Sequence, residues 1–405
     1  MKVKKNPVVC DVLVVGAGVV GFSVAIGILE HNPTARVIVA DKESNIGIHA
    51  SGRNSGVLHA GFYYSPESLK AKFCREGNLQ LRRIIHKYSI PIREVGKIVV
   101  SKNEEEDLAL ESLWERGHSN GVDIEILDRS ELSRIEPLAV TNSQFLWSPT
   151  TAVSNPSQVL ISLRKEFESM GGKVSLNQRV SLSERGGEIY DDSNQFSFQR
   201  VVNAAGAQAD RISRAVNVGS EYAMLPFMGT YRATNEKNLP IRHLIYPVPH
   251  VENPFLGVHF TLTIDGQVKL GPTAIPVLAR EQYSLWSGYS ASDFIQATKG
   301  SIALLAGGKV NLSSIVKSEW PKLSLRRMIR ESSSLVPSVT TVSSWEKKPP
   351  GIRAQLVHLP TGRLEQDFVV KSHLNSIHIL NAVSPGWTSA LPFGNWIVSN
   401  FINKF

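Results

Sequence analysis

Cysteine is nearly absent from this chain of 405 residues, which contains only Cys10 and Cys74. Two cysteines exclude a disulfide scaffold and a zinc ribbon, and they suit a reducing compartment. No uncharged apolar run reaches the roughly eighteen residues of a membrane-spanning helix. Internal repeats and low-complexity segments are also absent. Hydrophobic residues make up 42% and charged residues 20%, values typical of globular proteins. At about 150 residues per domain, we expect two or three domain-sized units.

The chain is moderately basic, with 44 Lys and Arg against 36 Asp and Glu, a net charge of +8. The basic residues form no stripe interleaved with aromatics, so no nucleic-acid partner is expected. A solvated basic surface explains the excess, and attraction to an anionic membrane face or substrate is the alternative. The N-terminal apolar run is interrupted by Asp11, which does not fit a signal peptide. We expect a cytoplasmic protein, with the inner membrane face as a further contact.

A nucleotide-binding pattern opens the chain. Residues 8–15 (VVCDVLVV) form a β-rich apolar run typical of a parallel strand buried on both faces. Gly16, Gly18 and Gly21 follow in a G-x-G-x-x-G pattern, and the next nine residues predict a helix. In this pattern the glycines make a tight turn, admit a pyrophosphate close to the backbone, and let helix and strand pack closely.

An acid completes the pattern. A second strand, residues 36–40, ends at Asp41, twenty positions after Gly21. This is the spacing expected for a carboxylate that binds the ribose hydroxyls of a dinucleotide. The same carboxylate would repel a 2′-phosphate, so the pattern favours NAD or FAD over NADP.

Two distant segments favour FAD over NAD. Residues 200–210 predict a strand and a turn that contains Ala205 and Gly206, and residues 377–396 predict a strand followed by a helix that begins near Trp387. A helix N-terminus beside a flavin stabilises the negative charge of its reduced ring. An NAD enzyme with one compact N-terminal unit has no need of these segments.

The segment from residue 49 to residue 77 (HASGRNSGVLHAGFYYSPESLKAKFCREG) is the most specific feature of the sequence. From Ser51 to Ala71 it follows the pattern S-G-x-N-S-G-V-[IL]-H-[AS]-G-x-Y-Y-x-P-x-S-L-K-A. It resembles the L-2-hydroxyglutarate dehydrogenase/oxidase family, within the D-amino-acid-oxidase-like flavoproteins. The resemblance continues through residues 95–100, 246–249, 254–261, 270–272, 351–355, 366–369 and 381–385.

This resemblance implies an α/β plus α+β architecture. A Rossmann-like FAD-binding domain of the glutathione-reductase type is expected over residues 6–88, 146–216 and 348–405. A discontinuous substrate domain with a mixed sheet is expected over residues 89–145 and 217–347. Its strands are predicted at residues 95–101, 222–233, 243–249, 255–264 and 267–271. Residues 281–345, much of which matches loosely, are interpreted as a lid or as a helix pair facing a membrane or partner.

The implied reaction is FAD-dependent oxidation of a 2-hydroxy acid, L-2-hydroxyglutarate to 2-oxoglutarate, by hydride transfer to flavin N5. An amine or amino acid substrate is the alternative within the superfamily, and an inactive FAD-binding protein is a third reading. A general base that titrates near neutrality points to histidine. His59, in the matched segment, is the first candidate and His259 the second, while the division between base and hydrogen-bond donor stays open. Arg353 is expected to hold a substrate carboxylate bidentately.

The remaining candidates surround the cofactor and substrate. Beside the three glycines and Asp41, the expected FAD contacts are Lys42, Ser51, Arg53, Asn54, Ser55, Val180, Ala205, Gly206, Gly386, Trp387 and Thr388. The substrate contacts are His59, Tyr64, Tyr246, His259 and Arg353. His49 stands where some related flavoproteins attach FAD covalently, although noncovalent FAD is favoured here. Lys70 is interpreted as structural or solvated, and no metal site is predicted.

Three departures from the family pattern concern the substrate. Met228 and Thr230 replace an arginine and an acid of Pro-Phe-Arg-Gly-[DE]-Tyr, and Trp387 replaces an alanine of Ser-Pro-Ala-Ala-Thr. These changes leave the flavin chemistry intact and the exact carboxylate substrate open. The electron acceptor also stays open between a quinone, oxygen and another carrier.

Overall fold

The computed structural model describes residues 6–249, 255–284, 288, 290–307 and 312–402. Its strands are β1 (Val8–Val15), β2 (Val37–Ala40), β3 (Val57–Leu58), β4 (Ile92–Arg93), β5 (Lys97–Val100), β6 (Glu125–Asp128), β7 (Gln144–Ser148), β8 (Ala152–Ser154), β9 (Lys173–Ser175), β10 (Leu182–Arg185), β11 (Glu188–Asp191), β12 (Phe196–Asn203), β13 (Tyr222–Asn235), β14 (Leu244–Pro247), β15 (His259–Leu262), β16 (Gln267–Gly271), β17 (Ile275–Pro276), β18 (Glu346–His358), β19 (Arg363–Leu364), β20 (Val369–His373) and β21 (Ser376–Asn381).

The helices connect and cover these strands. They are α1 (Val19–His31), α2 (Leu69–Lys87), α3 (Glu104–Ser119), α4 (Arg129–Ile135), α5 (Pro156–Ser169), α6 (Ala209–Arg214), α7 (Ala291–Gly307), α8 (Leu312–Glu319), α9 (Leu325–Ser332) and α10 (Ala390–Ile397). Short 3-10 turns occupy Gly206–Gln208, Trp320–Leu323 and Pro337–Thr341, and a π-turn occupies Val398–Ile402. Helix α10 begins three residues later than the helix predicted near Trp387, because residues 386–389 form turns.

The first large sheet has six strands in the order β20-β21-β12-β1-β2-β9. All neighbours are parallel except β20 and β21. Strand β1 lies in the middle, and its apolar run leaves Leu13 and Val14 with no exposed surface. A parallel strand covered on both faces requires this continuous hydrophobicity. Helices α1 and α10 pack closely on one face, where a Cβ added to Gly394 would lie 2.6 Å from the backbone of Ser23.

The second large sheet is mixed and has ten strands, with the path β19-β18-β13-β16-β15-β14-β5-β7-β6 and β17 paired to β13. Its neighbours are antiparallel except β5 and β14, which are parallel. Every strand predicted for the substrate domain is present in this sheet. Strands β18 and β19 also belong to it, although residues 348–405 were assigned to the FAD-binding segments. The division into domains stays a prediction.

Two helix starts follow directly from the sequence. The side chain of Asn155 caps α5 by accepting hydrogen bonds from the backbone N–H groups of Ser157 and Gln158, and Pro156 occupies the first turn. Asn103 caps α3, whose first turn holds four acids. Carboxylates at this end interact favourably with the positive pole of the helix. The segment interpreted as a lid or helix pair contains α7, α8 and α9, although residues 285–287, 289 and 308–311 lie outside the described residues.

Candidate active site

The turn between β1 and α1 is shaped by glycine. Gly16 has φ +115°, a left-handed conformation that favours glycine. A Cβ added to Gly21 would lie 1.9 Å from the carbonyl oxygen of Gly16, and a Cβ on Gly18 would lie 2.9 Å from Ser51 Oγ. The N–H of Val19 donates to the same Ser51 hydroxyl at 3.0 Å. The start of α1 therefore offers a cradle in which backbone N–H groups can approach a phosphate.

Asp41 supports this turn from the end of β2. Its Oδ2 accepts a hydrogen bond from the N–H of Ala17 at 2.7 Å, and its Oδ1 accepts one from Glu43 at 2.9 Å. Each carboxylate oxygen keeps a further acceptor site. The predicted acid is thus fixed beside the glycine turn and is still able to accept hydrogen bonds from ribose hydroxyls.

A cleft of about 570 Å³ runs from this turn to the mixed sheet. Its walls include all the predicted cofactor residues except Gly21, which instead packs α1 against the turn. Those residues are Gly16, Gly18, Asp41, Lys42, Ser51, Arg53, Asn54, Ser55, Val180, Ala205, Gly206, Gly386, Trp387 and Thr388. The predicted substrate residues His59, Tyr246, His259 and Arg353 line the same cleft, whereas Tyr64 lies outside its lining.

A polar cluster that sequence reasoning missed closes one side of the cleft. Lys42 forms ion pairs with Glu43 and, at 2.9 Å, with Glu281. His49 Nδ1 lies 2.6 Å from the hydroxyl of Tyr283. Glu43, His49 and Glu281 are close enough to share a metal ion, but the Lys42 ammonium already supplies a cation between the two carboxylates. Glu281 and Tyr283 come from a stretch of sequence that carries no motif.

The loop before α10 brings the end of the chain to the predicted catalytic loop. A Cβ on Gly386 would lie 2.2 Å from the carbonyl oxygen of Ala382, so this position requires glycine. The hydroxyl of Thr388 donates to the carbonyl of Val57 and accepts from the N–H of His59, both at 3.2 Å. Thr388 therefore fixes the backbone of the His59 loop.

His59 lies at the inner end of the cleft beside a lysine that the sequence did not single out. Its Nδ1 is 3.4 Å from Nζ of Lys97, which projects from β5. Lys97 has no exposed surface, and its Nζ lies 4.4 Å from the ring centroid of Tyr246. Burial lowers the pKa of Lys97 to about 7. Burial, reinforced by the charge of Lys97, lowers the pKa of His59 well below its ordinary value.

His259, on β15, has a fixed tautomer. Its Nδ1 lies 2.9 Å from the carbonyl oxygen of Gly257. Because a carbonyl only accepts, Nδ1 carries the proton and Nε2 keeps a lone pair. The ring stacks on Tyr246 with centroids 3.8 Å apart. Burial lowers the pKa of His259 to about 3, so the side chain is neutral near pH 7.

Arg353 projects from β18 into the cleft. Its guanidinium lies 5.3 Å from the ring centroid of Phe255, and burial lowers its pKa. Among residues 6–249, 255–284, 288, 290–307 and 312–402, no carboxylate forms an ion pair with it. Lys70, interpreted as structural or solvated, is only 7% exposed. Burial and then the charge of Arg353 lower the pKa of Lys70 to about 7. Arg353 thus brings a positive charge to the inner end of the cleft, and the pKa of the nearby Lys70 falls partly in response.

The two departures on β13 lie outside the cleft lining. Met228 is buried in an apolar cluster with Ile275 and Ile352. The hydroxyl of Thr230 lies 3.1 Å from that of Thr273. Apolar packing and a neutral hydrogen bond therefore occupy the place where the resembling family has an arginine and an acid.

A glycine turn, an acid beside it and a cleft between a parallel and a mixed sheet are the features expected of a dinucleotide-dependent oxidoreductase. The chain belongs to the DAO family, FAD dependent oxidoreductases, whose profile matches residues 11–399. This confirms the predicted family, enzyme class and FAD cofactor. The residues present fit that cofactor, since the Gly18 cradle and the Asp41 carboxylate stand at one end of a continuous cleft.

Named relatives cover nearly the whole chain. It is 34% identical to L-2-hydroxyglutarate dehydrogenase of Salmonella houtenae over 401 residues, 96% of this chain and 92% of the relative. It is 31% identical to the mitochondrial L-2-hydroxyglutarate dehydrogenase of Homo sapiens over 417 residues, 98% of this chain and 89% of the relative.

Solved structures confirm the predicted fold class. FAD-bound L-alpha-glycerophosphate oxidase from Mycoplasma pneumoniae aligns with a TM-score of 0.74 at 20% identity, over 97% of this chain and 95% of that one. Glycine oxidase from Geobacillus kaustophilus aligns with a TM-score of 0.72 at 16% identity, over 98% and 95%. Within the described residues, no helix has the length and hydrophobicity needed to cross a bilayer.

Proposed function

We propose that this protein oxidises L-2-hydroxyglutarate to 2-oxoglutarate with FAD as its cofactor. The observation that carries the proposal is the inner end of the cleft, where Arg353 lies without a carboxylate partner among the described residues, beside His59, His259 and Lys97. A dianionic 2-hydroxy acid supplies a carboxylate for the unpaired Arg353 guanidinium, and the neighbouring neutral histidines offer nitrogens for its hydroxyl group. The names of the relatives from Salmonella houtenae and Homo sapiens support the same substrate.

The side chains at the inner end of the cleft have distinct roles in this reaction. Bound FAD supplies the acceptor for the hydride that leaves the α-carbon of the substrate. Arg353 holds a carboxylate bidentately and sets the orientation of the α-carbon in the cleft. His59 takes the hydroxyl proton at Nε2, which has no hydrogen-bond partner among the described residues. Tyr246 packs between His259 and Lys97 and helps to exclude water.

His259 is the rival base because its fixed tautomer also offers a lone pair at Nε2. Burial disfavours the protonated form of both histidines, but the other nitrogen of His259 donates to a carbonyl, which cannot take the Nδ1 proton onward. His59 instead faces an amine across 3.4 Å. We therefore expect His59→Gln to lose most substrate-driven flavin reduction and His259→Gln to lose less. A larger loss of flavin reduction in His259→Gln than in His59→Gln would make His259 the base and His59 the hydrogen-bond donor.

Anaerobic flavin bleaching tests the substrate. L-2-hydroxyglutarate is expected to reduce the bound flavin faster than its D enantiomer or L-glutamate, and to yield 2-oxoglutarate without ammonia. Faster bleaching by an amino acid, with ammonia released, favours the amine-oxidising alternative. A flavin that no hydroxy or amino acid bleaches would instead indicate an inactive FAD-binding protein.

We also infer a contact between helix α7 and an anionic membrane face on the cytoplasmic side, where a quinone would accept electrons. Phe294, Ile295, Ile302 and Leu305 are each at least half exposed on α7, and the exposed Lys299 lies among them. Apolar side chains next to basic ones are typical of surfaces that lie in a membrane interface.

Co-sedimentation with vesicles tests this contact. The protein is expected to bind vesicles that contain anionic phosphatidylglycerol and not neutral ones, and Phe294→Ser with Ile302→Ser is expected to weaken binding. Equal binding to both vesicle types, or self-association through α7 without vesicle binding, contradicts the inference. Rapid reoxidation by dissolved oxygen alone would favour oxygen as acceptor.

A further inference from the structure

Lys97 is a buried cation with an unusual set of neighbours. It has no exposed surface, its Nζ lies 3.4 Å from Nδ1 of His59, and its charge helps to lower the pKa of His259. The rings of Phe62, Tyr63 and Tyr246 surround its ammonium at centroid distances of 5.4, 5.2 and 4.4 Å. Within the part of the chain that the structure describes, Lys97 forms no ion pair. A buried charge without a counter-ion is costly, so its retention needs a reason.

The hydrogen bond to His59 links Lys97 to the candidate base. A charged ammonium only donates, so it would leave the His59 proton on Nε2 and make that nitrogen a donor toward the cleft. A neutral amine also has a lone pair, which can accept the Nδ1–H of His59. Nδ1 of His59 then carries the proton, and Nε2 offers its lone pair to the cleft. Only neutral Lys97 therefore permits the His59 tautomer that can act as a base.

We propose that neutral Lys97 is the proton acceptor behind His59: as Nε2 takes the hydroxyl proton of the substrate, the Nδ1 proton passes to the Lys97 amine. The O–H bond of the substrate breaks and an Nε2–H bond forms, while the Nδ1–H bond breaks and an Nζ–H bond forms. The α-hydrogen leaves as hydride to FAD, so the alcohol loses two electrons and two hydrogens. This role for Lys97 rests on the proposed function.

The basicity of the two groups favours this direction of transfer. A lysine amine in water is more basic than imidazole by about four pH units, so the proton ends on the group that holds it better. Burial brings the pKa of Lys97 to about 7, which leaves a large neutral fraction at physiological pH. The titratable or charged groups around Lys97 and its partner His59 are Tyr63, Cys74, Tyr246, His259 and Arg353. None of them is a carboxylate that would hold the lysine charged.

The tautomer of His59 gives a test that needs no substrate. In the ¹⁵N-histidine-labelled, FAD-loaded protein, the His59 signals are assigned by their loss in His59→Gln. As the pH rises through about 7, the proton of wild-type His59 is expected to move from Nε2 to Nδ1. Lys97→Met, which preserves side-chain length, is expected to abolish this change. A single tautomer at all pH values, or a change that survives in Lys97→Met, overturns the proposal.

Stopped-flow flavin reduction by L-2-hydroxyglutarate gives the kinetic test. The wild-type rate is expected to rise through about pH 7 to a plateau. Lys97→Met is expected to lose about 10- to 100-fold, the range of a proton-transfer contribution, together with the pH step. Lys97→Arg, always charged, should fail in the same way. An unchanged rate and profile in Lys97→Met means that the lysine only fills space and refutes the role.

Lys269 provides the matched control. It is a lysine of the same mixed sheet, partly buried, with Nζ 6.0 Å from the ring centroid of Tyr231 and a pKa lowered by burial. Lys269→Met is expected to keep the wild-type rate and pH step. The two proposals fail separately. A wild-type flavin that L-2-hydroxyglutarate does not reduce removes the proposed function, whereas the His59 tautomer still decides the role of Lys97.

Discussion

Replacing Arg353 by methionine is expected to change activity and stability in opposite directions. The guanidinium lies in the cleft wall, where burial lowers its pKa and no carboxylate among the described residues pairs with it. In the free protein this charge is uncompensated, so its removal relieves a desolvation cost. In the substrate complex the same charge binds a carboxylate, so its removal weakens that complex. A merely structural arginine would not give this combination.

The magnitudes follow from the charge and the size of the chain. Each hydrogen bond between charged groups contributes about 1.5–3 kcal/mol, so losing a bidentate pair should lower kcat/KM by at least about 100-fold, since 1.4 kcal/mol is about tenfold. Unfolding entropy of about 2.1 cal/mol/K per residue gives about 0.85 kcal/mol/K for this chain. A gain of about 1–2 kcal/mol then raises Tm by roughly 1–2 °C.

Two assays on the FAD-loaded enzyme separate these effects. Anaerobic flavin reduction over a range of L-2-hydroxyglutarate concentrations gives the kinetic loss, and calorimetry gives Tm. Arg353→Lys, which keeps a point charge without the planar fork, should lose less activity than Arg353→Met. Arg185→Met provides a surface control, since the Arg185 side chain is 74% exposed. An Arg353→Met enzyme with wild-type kcat/KM, or with a clearly lower Tm, would refute the reasoning.

Three further predictions concern the cofactor, the core and pH. Gly386→Ala should purify with little flavin, because its Cβ would lie 2.2 Å from a backbone oxygen. Absorbance at 450 nm measures the bound flavin. The control Gly300→Ala should stay yellow, since a Cβ there has only contacts of 3.5 Å or more. Arg280→Met should lower Tm by several degrees, since its guanidinium pairs with the fully buried Asp210 and breaking such a pair costs about 3–5 kcal/mol. The pKa of Lys97 falls from 10.5 to about 7 on folding, so the unfolded chain binds this proton more tightly than the folded one. The stability of the wild type relative to Lys97→Met should therefore decline as the pH falls from 10.5 to about 7, and should level off below that. A difference in Tm that calorimetry finds constant over this range would contradict the prediction. An Arg280→Met protein as stable as Arg185→Met would contradict the core prediction.

Much of the fold could be predicted because its signals are local. The β1 run, the glycine turn and Asp41 occupy one short stretch, and their roles follow from backbone geometry. Cleft residues that lie far from the glycine turn in sequence could also be predicted. Gly386 and Thr388 follow a recognisable buried strand, and the segment around His59 carries a long specific match.

The residues that sequence reasoning missed are defined by long-range contacts. Lys97 lies in an otherwise apolar strand, KIVV. Its contacts with Tyr246 on the neighbouring strand β14 and with the His59 loop arise only in the folded protein. Glu281 and Tyr283 have no motif of their own and gain significance from Lys42 and His49, which are more than 230 positions away in sequence. The start of α10 was predicted too early because the turns at residues 386–389 have the composition of a helix N-terminus.

The order of strands in the parallel sheet has a consequence for biosynthesis. Strand β1 leaves the ribosome early, yet the sheet is closed beyond β12 only by β21, which begins at Ser376. At roughly 5–20 residues per second, β1 waits about 10–35 s for its neighbour β12, and β12 then waits about 10–35 s for β21. During that interval their hydrophobic edges are available to chaperones and to aggregation. Slowing translation between the codons for β12 and those for β21 should therefore reduce the soluble yield.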